Sequence, residues 1–374
     1  MILLNPERSW SSNVGSCRWH VIASCIMGQI RDSQHSSRCA YSQVPTMTAL
    51  PKSKSSRLPP NPNHAPPSAH HQAESALNAA SNNPNFNHPD HVIPRPDYSR
   101  FQDLIIVCCH AIYLPDADAH DFPLYSPHDQ SNWVLAPFQN ANPETGKPGE
   151  HTTFLAHATA GLRALTISPD NTDLEKNLLI LSGGATKPDM TSMTEARSYY
   201  HALLADELLS GHHGGGPTHA LYTRGRILLE QHATDSLQNL LFSILLFRQT
   251  VGRYPRHVRL ITHAFKARRV LQLHAAAIKW PKNRILVQGI DPIMSSQELQ
   301  SAIDGEETSG YTPWEADPLG SGQELSHKRK QRGWDGSVVD ALTHGLEACV
   351  KELVQGRVVG RLPWENDDNE HIPH

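Results

Sequence analysis

Apolar and aromatic residues are scarce in this chain. Hydrophobic residues make up 38% and aromatic residues 6% of the 374 positions, whereas roughly 45–50% apolar residues are usual in a chain that is globular throughout. No apolar run approaches the ~18 residues that a membrane-spanning helix needs, because the longest, Leu240–Phe247, is broken by Ser243. We therefore expect part of the chain to lie outside any packed core, and no part of it to span a membrane.

Cysteine and excess charge are also lacking. The six cysteines lie at positions 17, 25, 39, 108, 109 and 349 without a C-x-x-C pair, which argues against a disulfide scaffold and a structural zinc site. Lys and Arg number 33 against 37 Asp and Glu, a net charge of −4. This balance excludes a globally basic nucleic-acid-binding protein. We expect no metal site and no nucleic-acid partner.

The shortage of apolar residues is concentrated in residues 1–100. Residues 51–100 hold ten of the 28 prolines, and such a segment buries too little apolar surface to offset its ordering entropy. We predict a disordered tail here, whose proline-rich part offers a protein partner short extended motifs. Residues 1–50 weakly resemble a mitochondrial transit peptide; alternatively, translation begins at Met47. We otherwise expect a cytoplasmic protein.

From residue 101 onward, apolar runs of strand length alternate with segments of helical spacing. The predicted strands are Leu104–Cys109, Asn177–Leu181, Arg226–Leu229, Val258–Thr262 and Arg284–Val287. The predicted helices are His151–Leu165, Thr194–Leu209, Asp235–Thr250 and Phe265–Ile278. Residues 101–335 are therefore predicted to form an α/β domain: a Rossmann-like, doubly wound, mostly parallel five-stranded sheet with flanking helices. Residues 336–374 are predicted to form one helix, Val338–Val354, and a polar tail.

Two further segments of residues 101–335 could carry a function. Residues 111–150 follow the first strand as a long irregular insertion, which predicts a lid or binding loop, or a disordered one. The Cys108-Cys109 pair ends the first strand, where buried cysteines are expected rather than a reactive thiol.

Ligands of open parallel sheets lie beyond the carboxyl ends of the strands, so we searched the segments that follow each strand. Gly183, Gly184 and Thr186 follow the second strand; the glycines suit either a plain turn or a close approach to a ligand. Ser192 and Glu195 fit a capping box at the next helix, with a site carboxylate as the alternative for Glu195.

The third strand ends at Glu230, which no helix cap explains. We predict that this carboxylate faces the ligand crevice as a general acid/base or a hydroxyl-binding group. Thr234 or Asp235 is expected to cap the following helix. Ser236 and Asn239 lie on its first turn as candidate ligand-binding residues.

The fourth strand leads into His263, Lys266, Arg268 and Arg269 at a predicted helix start. Cations there oppose the helix dipole, so stability alone does not favour them. Together with backbone amides they can bind phosphate or carboxylate, with His263 as a second candidate acid/base group. A solvated basic face remains the alternative. The basic run 328–332 is expected to be a solvated surface stretch, with a nuclear-localisation patch or a phosphate contact as the alternatives.

Four segments in this order resemble the SanA/YdcF/ElyC-like family of unknown function, in its fungal branch. They are Leu181-Ser182-Gly183-Gly184-x-Thr186, Thr194-Glu195-Ala196, the segment from Glu230 to Asn239, and Thr262-His263-x-Phe265-Lys266-x-x-Arg269. The resemblance spans roughly residues 101–335 and implies a Rossmann-like parallel sheet. Bacterial members are linked to envelope integrity, and S-adenosylmethionine is a cofactor that the resemblance makes possible. It also implies a ligand pocket formed by Gly183, Gly184, Thr186, Glu195, Glu230, Ser236, Asn239, His263, Lys266 and Arg269.

Three functions are compatible with these features. The first is binding of, or catalysis on, an anionic small molecule that contains phosphate or a nucleotide; whether the chain is an enzyme is left open. The second is an S-adenosylmethionine-binding protein. The third is a non-catalytic adaptor that acts through its proline-rich segment.

Overall fold

The computed structural model describes residues 96–115, 125–166, 174–212 and 216–365. The predictions made for residues 1–95 and for the polar end at 366–374 lie outside the described residues. Residues 116–124, in the insertion after the first strand, also lie outside the described residues.

Five parallel strands form the central sheet, and all five were predicted from the sequence. They are β1 (Asp103–Cys108), β4 (Asn177–Ser182), β5 (Ile227–Glu230), β6 (Val258–Thr262) and β7 (Ile285–Gly289). Their order across the sheet is β5-β4-β1-β6-β7, and every neighbouring pair is parallel. Chain order therefore reverses between β1 and β6, the position where doubly wound sheets bind ligands.

Nine helical segments of four or more residues accompany the sheet in the described part of the chain. They are α1 (His151–Thr166), α2 (Glu195–Leu209), α3 (Pro217–Thr223), α4 (Ser236–Val251), α5 (residues 264–277), α6 (residues 296–316), α7 (Gln323–Gln331), α8 (Val339–Leu342) and α9 (Ala348–Val354). The segment α5 begins as a 3-10 turn, Ala264–Lys266, and contains a π-helical stretch, Val270–His274. The segment α6 contains a second π-helical stretch, Glu307–Tyr311.

The local sequence determines where α4 begins and ends. The Asp235 carboxylate accepts a hydrogen bond from the Gln238 amide at 2.9 Å, so of the two predicted caps it is Asp235 that begins the helix. Gly252 ends it in the left-handed region, with φ of 85°, where glycine carries no Cβ penalty.

Side chains alternate along the strands and fill two cores. Ile105, Val107 and Cys109 pack with α1 and α2 on one face, whereas Leu104, Ile106 and Cys108 pack with α4 and α5 on the other. Both cysteines are buried free thiols, as predicted. Burial raises the pKa of Cys108 to about 12 and that of Cys109 well above its ordinary value, so both remain protonated near pH 7.

The insertion after β1 contains a small antiparallel sheet of β2 (Ile112–Tyr113) and β3 (Trp133–Val134). Tyr113 and Trp133 are buried and belong to the core beneath α1 and α2. The described part of the insertion is therefore packed onto the domain.

The prediction of a single helix over Val338–Val354 is wrong, because a turn at Gly345, with φ of 70°, separates α8 from α9. Leu342, Val350 and Leu353 are nevertheless buried in the core shared with β1 and β6. Trp364 is 1% exposed and contacts the Tyr254 and Trp280 rings. The chain from α8 to residue 365 thus completes this core.

None of the helices that the structure describes has the length and apolar character needed to cross a membrane.

Candidate functional site

Two glycines allow close packing where β4 ends. A Cβ on Gly183 would lie 2.7 Å from the Glu195 Oε2, and a Cβ on Gly184 would lie 3.0 Å from the main-chain oxygen of Ala233. The Gly184 amide also donates to that Ala233 oxygen at 2.6 Å. In this structure the glycines therefore bring the β4 loop against α2 and against the loop after β5.

The start of α2 differs from the predicted capping box. Thr194, and not Ser192, is the N-cap, and its hydroxyl accepts from the Arg197 amide. The amide of Glu195 donates to the Gly184 carbonyl oxygen at 3.0 Å. Because Glu195 is the first residue of the helix and not the third, its carboxylate cannot reach back to the Ser192 amide as a capping box requires.

The side chain of Glu195 points into the protein, where its Oε1 accepts a hydrogen bond from the Thr186 hydroxyl. It is 7% exposed, and burial raises its pKa from 4.5 to about 7, although the Thr186 bond and the charges of Arg332, Lys187 and Lys266 oppose the rise. A carboxyl group with this pKa can hold or release a proton near neutrality.

Glu230 is buried as well, but both of its oxygens are occupied within the protein. Oε2 accepts from the Ser182 hydroxyl at 2.6 Å, and Oε1 accepts from the amides of His232 at 2.6 Å and Ala233 at 3.0 Å. Burial raises its pKa to about 7. These bonds give Glu230 a positioning role, because they join the end of β4 to the loop after β5.

Asn239 and Ser236 take different directions from the first turn of α4. The Asn239 Oδ1 accepts from the Ser182 hydroxyl at 3.2 Å, so Asn239 belongs to the same network as Glu230. The Ser236 hydroxyl instead pairs with the His274 Nε2 at 2.8 Å, on the side of α5. Ser236 was predicted for the site from its place on the first turn of this helix and from the family resemblance.

The basic start of α5 forms as predicted, but the protein's own carboxylates occupy most of it. The Asp291 Oδ1 accepts from the amides of Ala264 at 2.6 Å and Phe265 at 3.3 Å. Arg268 pairs with Glu307 at 2.6 Å, and the Arg269 Nε lies 3.1 Å from the Glu306 Oε1, both side chains being 11% exposed.

Lys266 remains without an ion pair among the described residues. Burial, and secondarily the charge of Arg269, lower its pKa from 10.5 to about 8. Its ammonium is a half-buried positive charge that no carboxylate of the described chain contacts.

Three histidines, His110, His157 and His263, meet beside Lys266, and we refer to them as the histidine cluster. The His263 ring centroid lies 4.6 Å from that of His110 and 5.0 Å from that of His157. His110 follows β1 and His263 follows β6, so the cluster lies at the point where strand order reverses. Burial lowers the pKa of all three, with a further contribution from the Lys266 charge, and that of His157 falls to about 4.

His263 has an unusual environment for a buried imidazole. It is 2% exposed, yet neither ring nitrogen has a hydrogen-bond partner among the described residues. By comparison, the His157 Nε2 bonds to the Ile290 carbonyl oxygen at 2.8 Å, and the His110 Nε2 to the Thr262 hydroxyl at 3.1 Å. Leaving a buried polar group unpaired costs about 1–3 kcal/mol, and such a group marks the place of a missing partner.

Most of the predicted site residues thus meet at the carboxyl edge of the sheet, and some additional ones join them. His157 was missed because a histidine on the apolar face of α1 gives no signal in the sequence. His110 directly follows the first strand, but it was not predicted as a site residue. Within the described residues, no three His, Cys, Asp or Glu side chains are arranged to hold a metal ion.

Two open surface grooves lie away from this cluster. One, of about 610 Å³, is lined by α1 residues such as Leu155 and Ala160 together with Arg259 and Gln288. The other, of about 530 Å³, lies beside β5 against Tyr98 and Tyr222. Neither groove is lined by Lys266 or by a member of the histidine cluster. The unpaired polar groups therefore indicate a ligand site at the carboxyl edge of the sheet and not in either groove.

Comparison with known proteins gives one informative similarity. The chain is 28% identical over 217 residues to the uncharacterised Saccharomyces cerevisiae protein YOR238W, an alignment that covers 51% of this chain and 67% of the yeast protein. No family model matches the chain. No solved structure matches it. These findings relate the chain to an uncharacterised protein and assign no activity.

Proposed function

We propose that this protein binds an anionic, phosphate-bearing small molecule at the carboxyl edge of its sheet, with Lys266 as the principal cation. One observation carries the proposal: in the described part of the chain, neither nitrogen of the buried His263 imidazole has a hydrogen-bond partner, and Lys266, whose charge lowers the His263 pKa, has no ion pair. An anion bound here would neutralise Lys266 and accept a hydrogen bond from His263.

The surrounding groups suit an anion better than a cation. A metal ion would be repelled by Lys266, and the histidines are neutral near pH 7 because burial lowers their pKa. Neutral imidazoles donate hydrogen bonds without adding charge. The ring of Phe265, with its centroid 4.8 Å from that of His263, adds an apolar wall.

The same site could transfer a proton to or from its ligand. Glu195 has a pKa of about 7, and His263 has free ring nitrogens. We therefore assign the acid/base role to Glu195 and His263. Glu230 is less suited, since its oxygens already accept three hydrogen bonds.

We also propose that the chain belongs to the fungal branch of the SanA/YdcF/ElyC-like family. The proposal is supported by the five-stranded parallel sheet and by the convergence of Gly183, Glu195, Glu230 and His263 from separate segments at one edge. Under this proposal S-adenosylmethionine is the competing ligand, and it is included in the test below.

The test is a thermal-shift and calorimetric titration of the full chain with inorganic phosphate, a nucleoside monophosphate, S-adenosylmethionine and acetate. We expect phosphate-bearing ligands to stabilise the protein, by about 2.7 kcal/mol at 100 times the dissociation constant. Lys266→Met should abolish this shift. Lys282→Met, an exposed lysine at the opposite end of the sheet just before β7, should preserve it.

Two results would refute the proposal. One is a wild-type protein that no phosphate-bearing ligand stabilises. The other is a phosphate-dependent shift that Lys266→Met leaves intact. Stabilisation by S-adenosylmethionine alone would support the competing ligand.

A further inference from the structure

The strand β5 is an open edge of the central sheet, because β4 is its only neighbour among the described strands. The Gly183 amide donates to the Glu230 carbonyl oxygen at 3.0 Å, so the main-chain groups of Glu230 face β4. Since these groups alternate in direction along a strand, the amides and carbonyls of Ile227 and Leu229 face away from β4. An edge of this kind is a template for a further strand.

The groove of about 530 Å³ beside β5 is lined by this open edge, since both Ile227 and Leu229 belong to its wall. Tyr98, Tyr200 and Tyr222 line it as well. The Tyr200 and Tyr222 ring centroids lie 4.4 Å apart, and Tyr222 is 38% exposed. The groove therefore combines main-chain groups that can pair with an extended segment and aromatic rings that can pack against its side chains.

The described part of the chain begins in this same groove. Its first residue, Pro96, lines the groove together with Tyr98. A Cβ on Gly225, two residues before β5, would lie 3.0 Å from the Pro96 Cβ. The residues that precede Pro96 are therefore attached at the amino end of β5. A segment that follows the groove to Pro96 runs antiparallel to β5, and an antiparallel edge strand on an otherwise parallel sheet is common.

The sequence directly before Pro96 suits an added strand. Val92 and Ile93 are the only valine and the only isoleucine between positions 51 and 95, and β-branched residues are favoured in strands. Residues 91–95 in extended conformation span about 17 Å, enough to cover β5, which has four residues. Pro94 has no amide hydrogen, a property that an edge strand tolerates.

We propose that the groove beside β5 is an interaction surface for the chain's own residues 91–95, which add to β5 as an antiparallel sixth strand with Val92 and Ile93 at its centre. The amides of Ile227 and Leu229 then donate to carbonyl oxygens of this segment. The added strand also withdraws the edge from pairing with a second copy of the chain. This interaction is independent of the anion site at the carboxyl edge of the sheet.

The test is amide hydrogen exchange of the full chain, followed residue by residue by NMR. In wild type the Ile227 and Leu229 amides should exchange at least about a hundredfold more slowly than in the double variant Val92→Asp/Ile93→Asp, whose charged segment no longer pairs with β5. The Leu228 amide faces β4 and should exchange at the same rate in both proteins. Its protection shows that the sheet of the variant remains folded.

Leu58→Asp/Leu77→Asp is the matched control, because it adds the same charge to the chain before Pro96 but outside residues 91–95. It should leave the exchange of the Leu229 amide as in wild type. Tyr222→Ala provides a second, independent variant from the side of the groove, and it should also accelerate exchange at Leu229. Tyr125→Ala, at a tyrosine that is 49% exposed and does not line this groove, should not.

Protection of the two outward-facing amides should not depend on protein concentration, since the added strand belongs to the same chain. Protection that rises with concentration would assign the edge to a second copy and overturn the proposal. The proposal is also overturned if the Leu229 amide exchanges equally fast in wild type and in Val92→Asp/Ile93→Asp, or if the Leu58→Asp/Leu77→Asp control accelerates it as much.

Discussion

Glu195 should make the stability of the unliganded protein depend on pH in a defined direction. Its pKa rises from 4.5 to about 7 because the carboxyl group is buried. The native state therefore holds the proton more tightly than the unfolded chain does. The resulting stabilisation is complete below about pH 4.5 and is lost as the pH rises through about 7.

The magnitude follows from the size of the shift. Each pH unit corresponds to about 1.4 kcal/mol, so an ionised Glu195 lowers the free energy of unfolding by about 3 kcal/mol at pH 8, relative to a neutral side chain. Glu195→Gln removes this penalty and keeps an oxygen that can accept the Thr186 hydroxyl. The variant should match wild type near pH 4.5 and exceed its unfolding free energy by up to about 3 kcal/mol at pH 8.

Urea denaturation of both proteins at half-unit steps from pH 4.5 to 8.5 measures the difference. Glu144→Gln, at an exposed glutamate, should produce no pH-dependent change. The reasoning would be refuted if Glu195→Gln showed the same difference from wild type at pH 5 and pH 8, or became less stable with rising pH.

Substitutions at three further positions test the packing that supports the site. Glu230→Ala should lower the unfolding free energy by about 2–4 kcal/mol, since it leaves the His232 and Ala233 amides without their acceptor and removes the shortest hydrogen bond of the Ser182 hydroxyl. Glu230→Gln should restore most of this loss; an equal loss in both variants would contradict the bonding described. Gly184→Ala should cost about 1–3 kcal/mol, because its Cβ would meet the main-chain oxygen of Ala233 at 3.0 Å; a neutral effect on the denaturation midpoint would show that the loops can separate. Trp364→Ala should cost about 3–5 kcal/mol, and an effect below about 1 kcal/mol would mean that this end of the chain does not contribute to the core.

The sheet could be predicted because its signal is local. Strands buried on both faces are continuous apolar runs, and β6 was predicted at its observed bounds, Val258–Thr262. The failure at Val338–Val354 has a local cause too: the apolar spacing continues across Gly345, whose positive φ breaks the helix. Spacing does not reveal the conformation of a single residue.

The site was only partly predictable, since pairing is decided by tertiary contacts. Lys266, Arg268 and Arg269 look alike in the sequence, but the partners of the two arginines, Glu306 and Glu307, lie almost 40 residues away. Glu230 ends a strand as expected, yet its hydrogen bonds within the protein could not be read from its position. Parallel topology predicts which segments meet, and only the structure shows which groups remain unpaired.

The most direct test of the central proposal is to observe His263 itself. In a ¹⁵N-histidine NMR spectrum, with the His263 signals assigned from a His263→Asn variant, inorganic phosphate should shift both ring-nitrogen resonances of His263. It should leave the exposed His344 unchanged, and the shift should vanish in Lys266→Met. If saturating phosphate leaves His263 unaffected in the wild-type protein, or moves it equally in Lys266→Met, the anion does not bind between these two residues and the proposal is wrong.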